Sequence, residues 1–289
     1  MAQSKHSGGK KSMRMKIVSD SSSDILSMEG VAFASAPLKI ITTEKEYVDD
    51  ETLDVKEMVE DLLSYKGRSS TSCPNTADWI TAFGDAERIF CITITGTLSG
   101  SYNAACAAKE TYEATYPGRK VFVINSLSTG PEILLIMEKL AELINAGLDY
   151  EEICEKITQY KKQTHLIFML ESMKNLANNG RVSPLVAKVA GVLGIRVIGK
   201  ASEQGDLQQL DKVRGQQKAI ERLVHHIEAI GFTKGKIRIA HCFNEDAARE
   251  LQKLLMEKFV EAKVQINRCR GLCSFYAEKG GMLIGFETM

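Results

Sequence analysis

From Met15 to about Tyr160, short β-branched and aromatic runs alternate with longer stretches of helical spacing. The runs Met15–Ser19, Val31–Ile41, Ile89–Thr95 and Val121–Asn125 predict strands. Between them, Val55–Tyr65, Thr76–Phe83, Ser101–Tyr116 and Pro131–Ala146 predict helices. In the last, Ile133, Ile136, Met137, Leu140, Leu143 and Ile144 recur at the spacing of one helix face. Alternation of this kind implies a mainly parallel sheet covered by helices, with any ligand gathered beyond the C-terminal ends of its strands.

The second half has a different rhythm. A strand at His165–Leu170 precedes helical stretches around Met173–Asn178 and Pro184–Leu193. Strands Ile195–Lys200 and Leu207–Arg214 flank the turn-like segment Ala201–Asp206 and predict a hairpin. Helix Gln216–Ile230, strand Lys236–Cys242, helix Glu245–Glu261, strand Lys263–Arg268 and strand Met282–Glu287 follow. The pattern predicts an α/β protein of two domains. Residues 15–163 form a three-layer α/β/α domain on a parallel sheet, and 164–289 a smaller two-layer α/β domain with a mixed sheet. Residues 1–14 read as a disordered tail or expression remnant; they are polar and Lys-rich, without the apolar core of a secretory signal. No long linker separates the domains, so their interface is the expected cleft.

One loop stands out chemically. The run Ile92-Thr93-Ile94-Thr95 breaks into Gly96-Thr97-Leu98-Ser99-Gly100-Ser101, and an Ala-rich helix follows at once. Hydroxyls and free amide N–H groups at the positive end of a helix suit an anionic head group. The loop carries no charge, so hydrogen bonds rather than an ion pair are expected to hold the ligand. Three further hydroxyl-rich loops occur at 19–24, 69–75 and 125–131. Each alone reads as a helix cap. In a parallel sheet, strand-to-helix loops share one edge, and together they would form a polar, mostly uncharged rim.

Composition narrows the function. Lys+Arg and Asp+Glu are both 37, a balance that argues against a nucleic-acid binder. No apolar run approaches the ~20 residues of a membrane span. The seven cysteines are scattered, which fits reduced, buried thiols in a cytoplasmic protein, and no histidine–carboxylate cluster has metal spacing. The Gly96–Gly100 loop lacks the spacing and lysine of a P-loop, and no Gly-x-Gly-x-x-Gly is present. Around Ser99 the nucleophile elbow lacks both glycines, leaving a hydrolase of small acyl esters, with Ser99 as nucleophile and His241 as base, as the alternative reading. A structural or regulatory module is a third.

Taken together, several motifs resemble those of the DegV family of bacterial fatty-acid-binding proteins, over essentially the whole chain after Met15. They are Val18-Ser19-Asp20-Ser21-Ser22-Ser23-Asp24, Thr71-Ser72-Cys73-Pro74, Leu98-Ser99-Gly100-Ser101-Tyr102-Asn103-Ala104-Ala105 and Asn125-Ser126. In the second half they are Leu176 with Gly180-Arg181-Val182-Ser183, Gly205 with Lys212-Val213-Arg214-Gly215, and His241. The resemblance implies a carrier that is not itself a catalyst: a protein without cofactor that encloses one long-chain fatty acid between two domains. It further implies that the acid is presented to a separate, dihydroxyacetone-kinase-like fatty-acid kinase, whose acyl-phosphate product enters phospholipid synthesis. By the same resemblance Thr71 and Ser99 bind the carboxylate with Ser72 and the Gly100 amide nearby, Arg181 and Arg214 face a partner, and the chain is a monomer. The chain also departs from the family. Where relatives carry a His-Thr-Gly-Pro-Gly stretch, it reads Arg268-Cys269-Arg270-Gly271-Leu272-Cys273-Ser274, which makes Arg268 and Arg270 candidates for the additional head-group contact. Cys73 stands in place of a glutamine, and Asn179-Gly180 in place of Gly-Gly.

Overall fold

The structure, a computed structural model, describes residues 14–183 and 194–288. The helix expected around 184–193 and nearly all of the expected tail lie outside them. Four strands, β1 (Met15–Asp20), β2 (Ala32–Ala36), β6 (Arg88–Thr93) and β7 (Lys120–Asn125), form a fully parallel sheet in the order β2-β1-β6-β7. Helices α2 (Thr76–Phe83) and α3 (Ser101–Thr115) cover one face, where Trp79, Phe83 and Tyr112 pack on Val18, Ile89 and Cys91. Helices α4 (Pro131–Asn145) and α5 (Tyr150–Tyr160) cover the other, where Ile133, Ile136 and Ile153 meet Ile17, Phe90 and Ile92. This is the expected α/β/α arrangement. Helix α5 completes it beyond the predicted elements.

The second sheet has six strands in the order β10-β9-β8-β13-β11-β12: β8 (Thr164–Leu170), β9 (Ile195–Ala201), β10 (Leu207–Arg214), β11 (Gly235–His241), β12 (Ala262–Arg268) and β13 (Met282–Glu287). Only β11 and β12 are parallel, so the sheet is mixed, as expected. Alternation along β8 divides its residues between two cores. Ile167 and Met169 pack outward under α7 (Gln216–Ile230) and α8 (Glu245–Lys258). Leu166, Phe168 and Leu170 face inward.

One architectural feature was not foreseen. The predicted strand 31–41 breaks at Pro37, which fixes its own φ and has no N–H for a sheet ladder. Its second part, β3 (Lys39–Ile41), joins β4 (Glu46–Val48) and β5 (Ser70–Ser72) in a separate antiparallel sheet of order β4-β3-β5. This small sheet, α1 (Val55–Ser64) and α9 (Gly271–Ala277) cover the inner face of the six-stranded sheet: Ile40, Tyr47 and Met58 share a core with Phe168, Phe275 and Leu283. The hydroxyl-rich segment 69–75 therefore belongs to this sheet and not to the rim of the parallel one.

Helix α4 bridges the two large sheets. At Gly285 of β13, a Cβ would lie 2.5 Å from the Pro131 carbonyl carbon, so only glycine permits this approach. On the same helix Glu138 holds Arg238 of β11 through two hydrogen bonds of 2.7 and 2.8 Å. Such a fork adds direction as well as attraction. The two large sheets are thus held in one fixed relation, with the inner face of the second turned toward the loops of the first.

Candidate functional site

Between that inner face and those loops lies a narrow, largely apolar cavity. Leu166, Phe168 and Leu170 of β8, Leu283 of β13, Ala201 and Leu207 form one wall; Leu38, Ile94, Leu98, Leu127, Leu272 and Ala277 form the other. An apolar lining of this kind suits a hydrocarbon, which gains by leaving water.

Polar groups cluster within it. Thr71 on β5 pairs across to buried Ile40, and its hydroxyl lies 2.7 Å from Tyr276 Oη of α9. The Arg181 guanidinium lies 5.8 Å from the centre of the Tyr276 ring, and its Nε donates to the Leu98 carbonyl at 3.2 Å. Ser99, next in the chain, also lines the cavity, and its Oγ accepts from Ser101 N–H at 3.3 Å. Among the described residues Arg181 is the only cationic side chain in the lining. The turn after α6 (Lys174–Asn178) brings Arg181, expected from the resemblance to face a partner, to the cavity wall. The lining, expected to be mostly uncharged, holds this cation and Asp206.

The loops beneath these groups are held by buried polar contacts. Asp20, fully buried, accepts hydrogen bonds from Ser22, from Ile94 N–H at 2.9 Å and from Ser101 Oγ at 2.6 Å. Burial pushes its carboxyl pKa up, against the downward pull of these bonds. Asn125 Oδ1 accepts from Gly96 N–H at 3.1 Å and Leu127 N–H at 3.2 Å, tying the loops after β6 and β7 together. Leu127, which lines the cavity, sits at φ 58°, a conformation that surrounding contacts must impose on a non-glycine residue. The tip of the β9–β10 hairpin docks on the same loops. Thr97 Oγ1 donates to the Gln204 carbonyl at 2.5 Å, and at Gly205 (φ 81°) a Cβ would fall 2.3 Å from Thr95 Oγ1.

The remaining expected site residues are placed elsewhere. Alternation along β5 turns Ser72 away from Thr71, so Ser72 is exposed and outside the lining; its hydroxyl donates to the Cys73 carbonyl. Gly100 is exposed at the start of α3 and likewise outside the lining. Arg268 and Arg270 face a separate surface cleft shared with Leu26, Met28 and Lys236. Arg268 pairs with Glu245, while Arg270 lies 3.7 Å from buried Asp49 and donates its backbone N–H to Asp24. Burial is the main reason that the Asp24 carboxyl is pushed up to about 8. Arg214 is exposed at the open end of the hairpin, opposite Ile195 and away from the docked tip. His241 is buried and accepts from Asn244 N–H through Nδ1, and burial lowers its pKa. It lines the cleft of Arg268 and not the cavity of Ser99, so the Ser–His pair needed for hydrolysis is not assembled.

Sequence reasoning missed Tyr276 altogether. It lies in a seven-residue helix without a side-chain cap, and no pattern marks it. The seven cysteines are free thiols; Cys273 lines the cavity, and burial raises its pKa well above the usual thiol value. Among the described residues there is no metal-binding cluster, and no helix is long and apolar enough to cross a membrane.

The family model described as an uncharacterised protein of the DegV family matches residues 14–288. A DegV domain-containing protein of Streptococcus pneumoniae is 42% identical over 279 residues, 95% of this chain and 99% of its own length. Among solved structures, a DegV family protein from Eubacterium eligens loaded with heptadecanoic acid superposes with a TM-score of 0.94 at 42% identity, covering 95% of this chain and all of that one. The Streptococcus pneumoniae Fatty Acid Kinase (Fak) B3 protein loaded with linoleic acid also gives 0.94, at 41% identity over 96% of this chain and all of that one. Fold, motifs and comparisons agree: the chain belongs to the DegV family.

Proposed function

We propose that this protein binds one long-chain fatty acid between the segments 15–163 and 164–289 and presents its carboxylate to a separate kinase. The observation that carries the reading is an apolar cavity with Thr71, Ser99 and Arg181 gathered in its wall. In this reading the two hydroxyls donate to the carboxylate and Arg181 supplies the opposing charge. The acyl chain lies along Leu166, Phe168 and Leu283.

The energetics support that division of labour. Each buried methylene contributes about 0.8 kcal/mol, so a long chain supplies most of the affinity. Hydrogen bonds to a charged acceptor contribute about 1.5–3 kcal/mol each and fix which end of the ligand meets the loops. The loaded relatives from Eubacterium eligens and Streptococcus pneumoniae support the ligand class, and the kinase designation of the latter supports the partner. The protein itself then supplies binding and orientation while the phosphoryl chemistry belongs to the partner.

Calorimetric titration of delipidated protein with hexadecanoic acid and with its methyl ester tests this reading. It expects one-to-one saturation by the acid and binding of the ester at least about 10-fold weaker. Absence of acid binding, or equal affinity for the ester, would overturn it.

A further inference from the structure

We infer that Tyr276 is a positioning residue of the head-group site, holding the Thr71 hydroxyl so that its proton points at the ligand. The inference rests on the proposed carboxylate site and adds to it a residue that no motif marks.

The argument starts from one hydrogen bond. Thr71 Oγ1 and Tyr276 Oη are 2.7 Å apart, and either could donate. A phenol is far more acidic than an alkyl hydroxyl, and is therefore the better donor. With Tyr276 donating, the Thr71 oxygen serves as acceptor and its own proton is left for a second partner. Thr71 lines the cavity, so an acyl carboxylate is placed to take that proton. Arg181 near the ring face adds an attractive cation–π contact and keeps the guanidinium beside the same spot. The phenol stays protonated because burial raises its pKa.

Tyr276 is itself held in place. Asp49, fully buried, accepts from Gly271 and Leu272 N–H at 2.9 Å each and so fixes the start of α9. Asn175 of α6 donates its side-chain N–H to the Phe275 carbonyl at 2.8 Å, and its backbone N–H to Glu278. The helix carrying Tyr276 and the segment carrying Arg181 are therefore joined by one side chain. A neutral donor held this firmly costs little reorganisation when the ligand arrives.

A double-mutant cycle tests the assignment. Delipidated wild type, Tyr276→Phe, Thr71→Val and the double variant are titrated with hexadecanoic acid and with hexadecanol, and thermal melts confirm that each is folded. Tyr276→Phe keeps the ring and loses only the hydroxyl; it is expected to weaken the acid about 3- to 10-fold and the alcohol by no more than about 2-fold. In the Thr71→Val background the same change is expected to have no effect, whereas in Thr71→Ser, which restores the hydroxyl, it returns. Unchanged acid affinity in Tyr276→Phe, equal losses for acid and alcohol, or additivity with Thr71→Val would each overturn the inference. Those outcomes leave wild-type acid binding intact, so they are distinguishable from failure of the proposed function, in which wild type itself does not bind.

Discussion

Filling the cavity wall at Thr129 should shorten the acyl chain that the protein accepts. Thr129 lines the cavity, with its hydroxyl 3.6 Å from Cys273 Sγ, and lies outside the Thr71–Tyr276–Arg181 cluster. Thr129→Phe adds four heavy atoms, roughly the room of four methylenes. At about 0.8 kcal/mol per methylene, a ligand filling the wild-type cavity should lose about 3 kcal/mol, on the order of 100-fold in Kd. Saturated acids of increasing length, titrated into delipidated protein, give the assay. In wild type each added methylene should tighten binding about 4-fold until the cavity is full. The variant should follow the same line for short acids and depart from it about four carbons earlier. An equal loss at every length would show that the substitution disturbs the loop and not the chain's space. An unchanged length profile would refute the acyl placement.

Three further outcomes follow from the geometry. Gly205→Ala forces a Cβ to within 2.3 Å of Thr95 Oγ1 at a φ of 81°, and should cost about 1–3 kcal/mol, lowering Tm by roughly 3–10 °C; an unaltered melt would contradict the docked hairpin tip. Asp20→Ala leaves Ser22, Ser101 and Ile94 N–H without their buried acceptor and should cost about 2–4 kcal/mol in denaturant unfolding, with wild-type stability as the refuting result. Glu132, buried at the start of α4 and bonded to Thr164, has its carboxyl pushed up to about 7, chiefly by burial. The folded state therefore holds this proton more tightly than the unfolded chain. Its contribution is complete at pH values below the ordinary carboxylate pKa and is lost as pH rises through about 7. Glu132→Gln should remove a loss on the order of 3 kcal/mol between pH 4 and 8.5, and identical pH profiles for variant and wild type would refute the assignment.

Much of the fold was legible because its strands and helices carry strong periodicity. The β6 run ending in the Thr95–Ser101 hydroxyls is enough by itself to put Ser99 at the rim of a parallel sheet. Thr71 was found by motif, but its setting was not readable: β5 is three residues of Ser and Thr, and exists because Ile40 across from it is buried. The same strand's alternation separates Thr71 from Ser72, which a motif cannot do. Arg181 and Tyr276 meet through contacts between segments nearly a hundred residues apart, and no local pattern encodes that meeting. Arg268 and Arg270 pair with Glu245 and Asp49 and line a cleft apart from Thr71 and Ser99, a placement set by contacts between distant segments that the local sequence does not encode.

Native mass spectrometry of the purified protein, followed by extraction and identification of whatever is bound, tests the central claim most directly. The account predicts a single species heavier than the bare chain by one long-chain fatty acid, with the added mass lost from a Thr71→Val, Ser99→Ala, Arg181→Met variant. A bare chain that stays empty when offered the acid, or a triple variant that retains it fully, would contradict it.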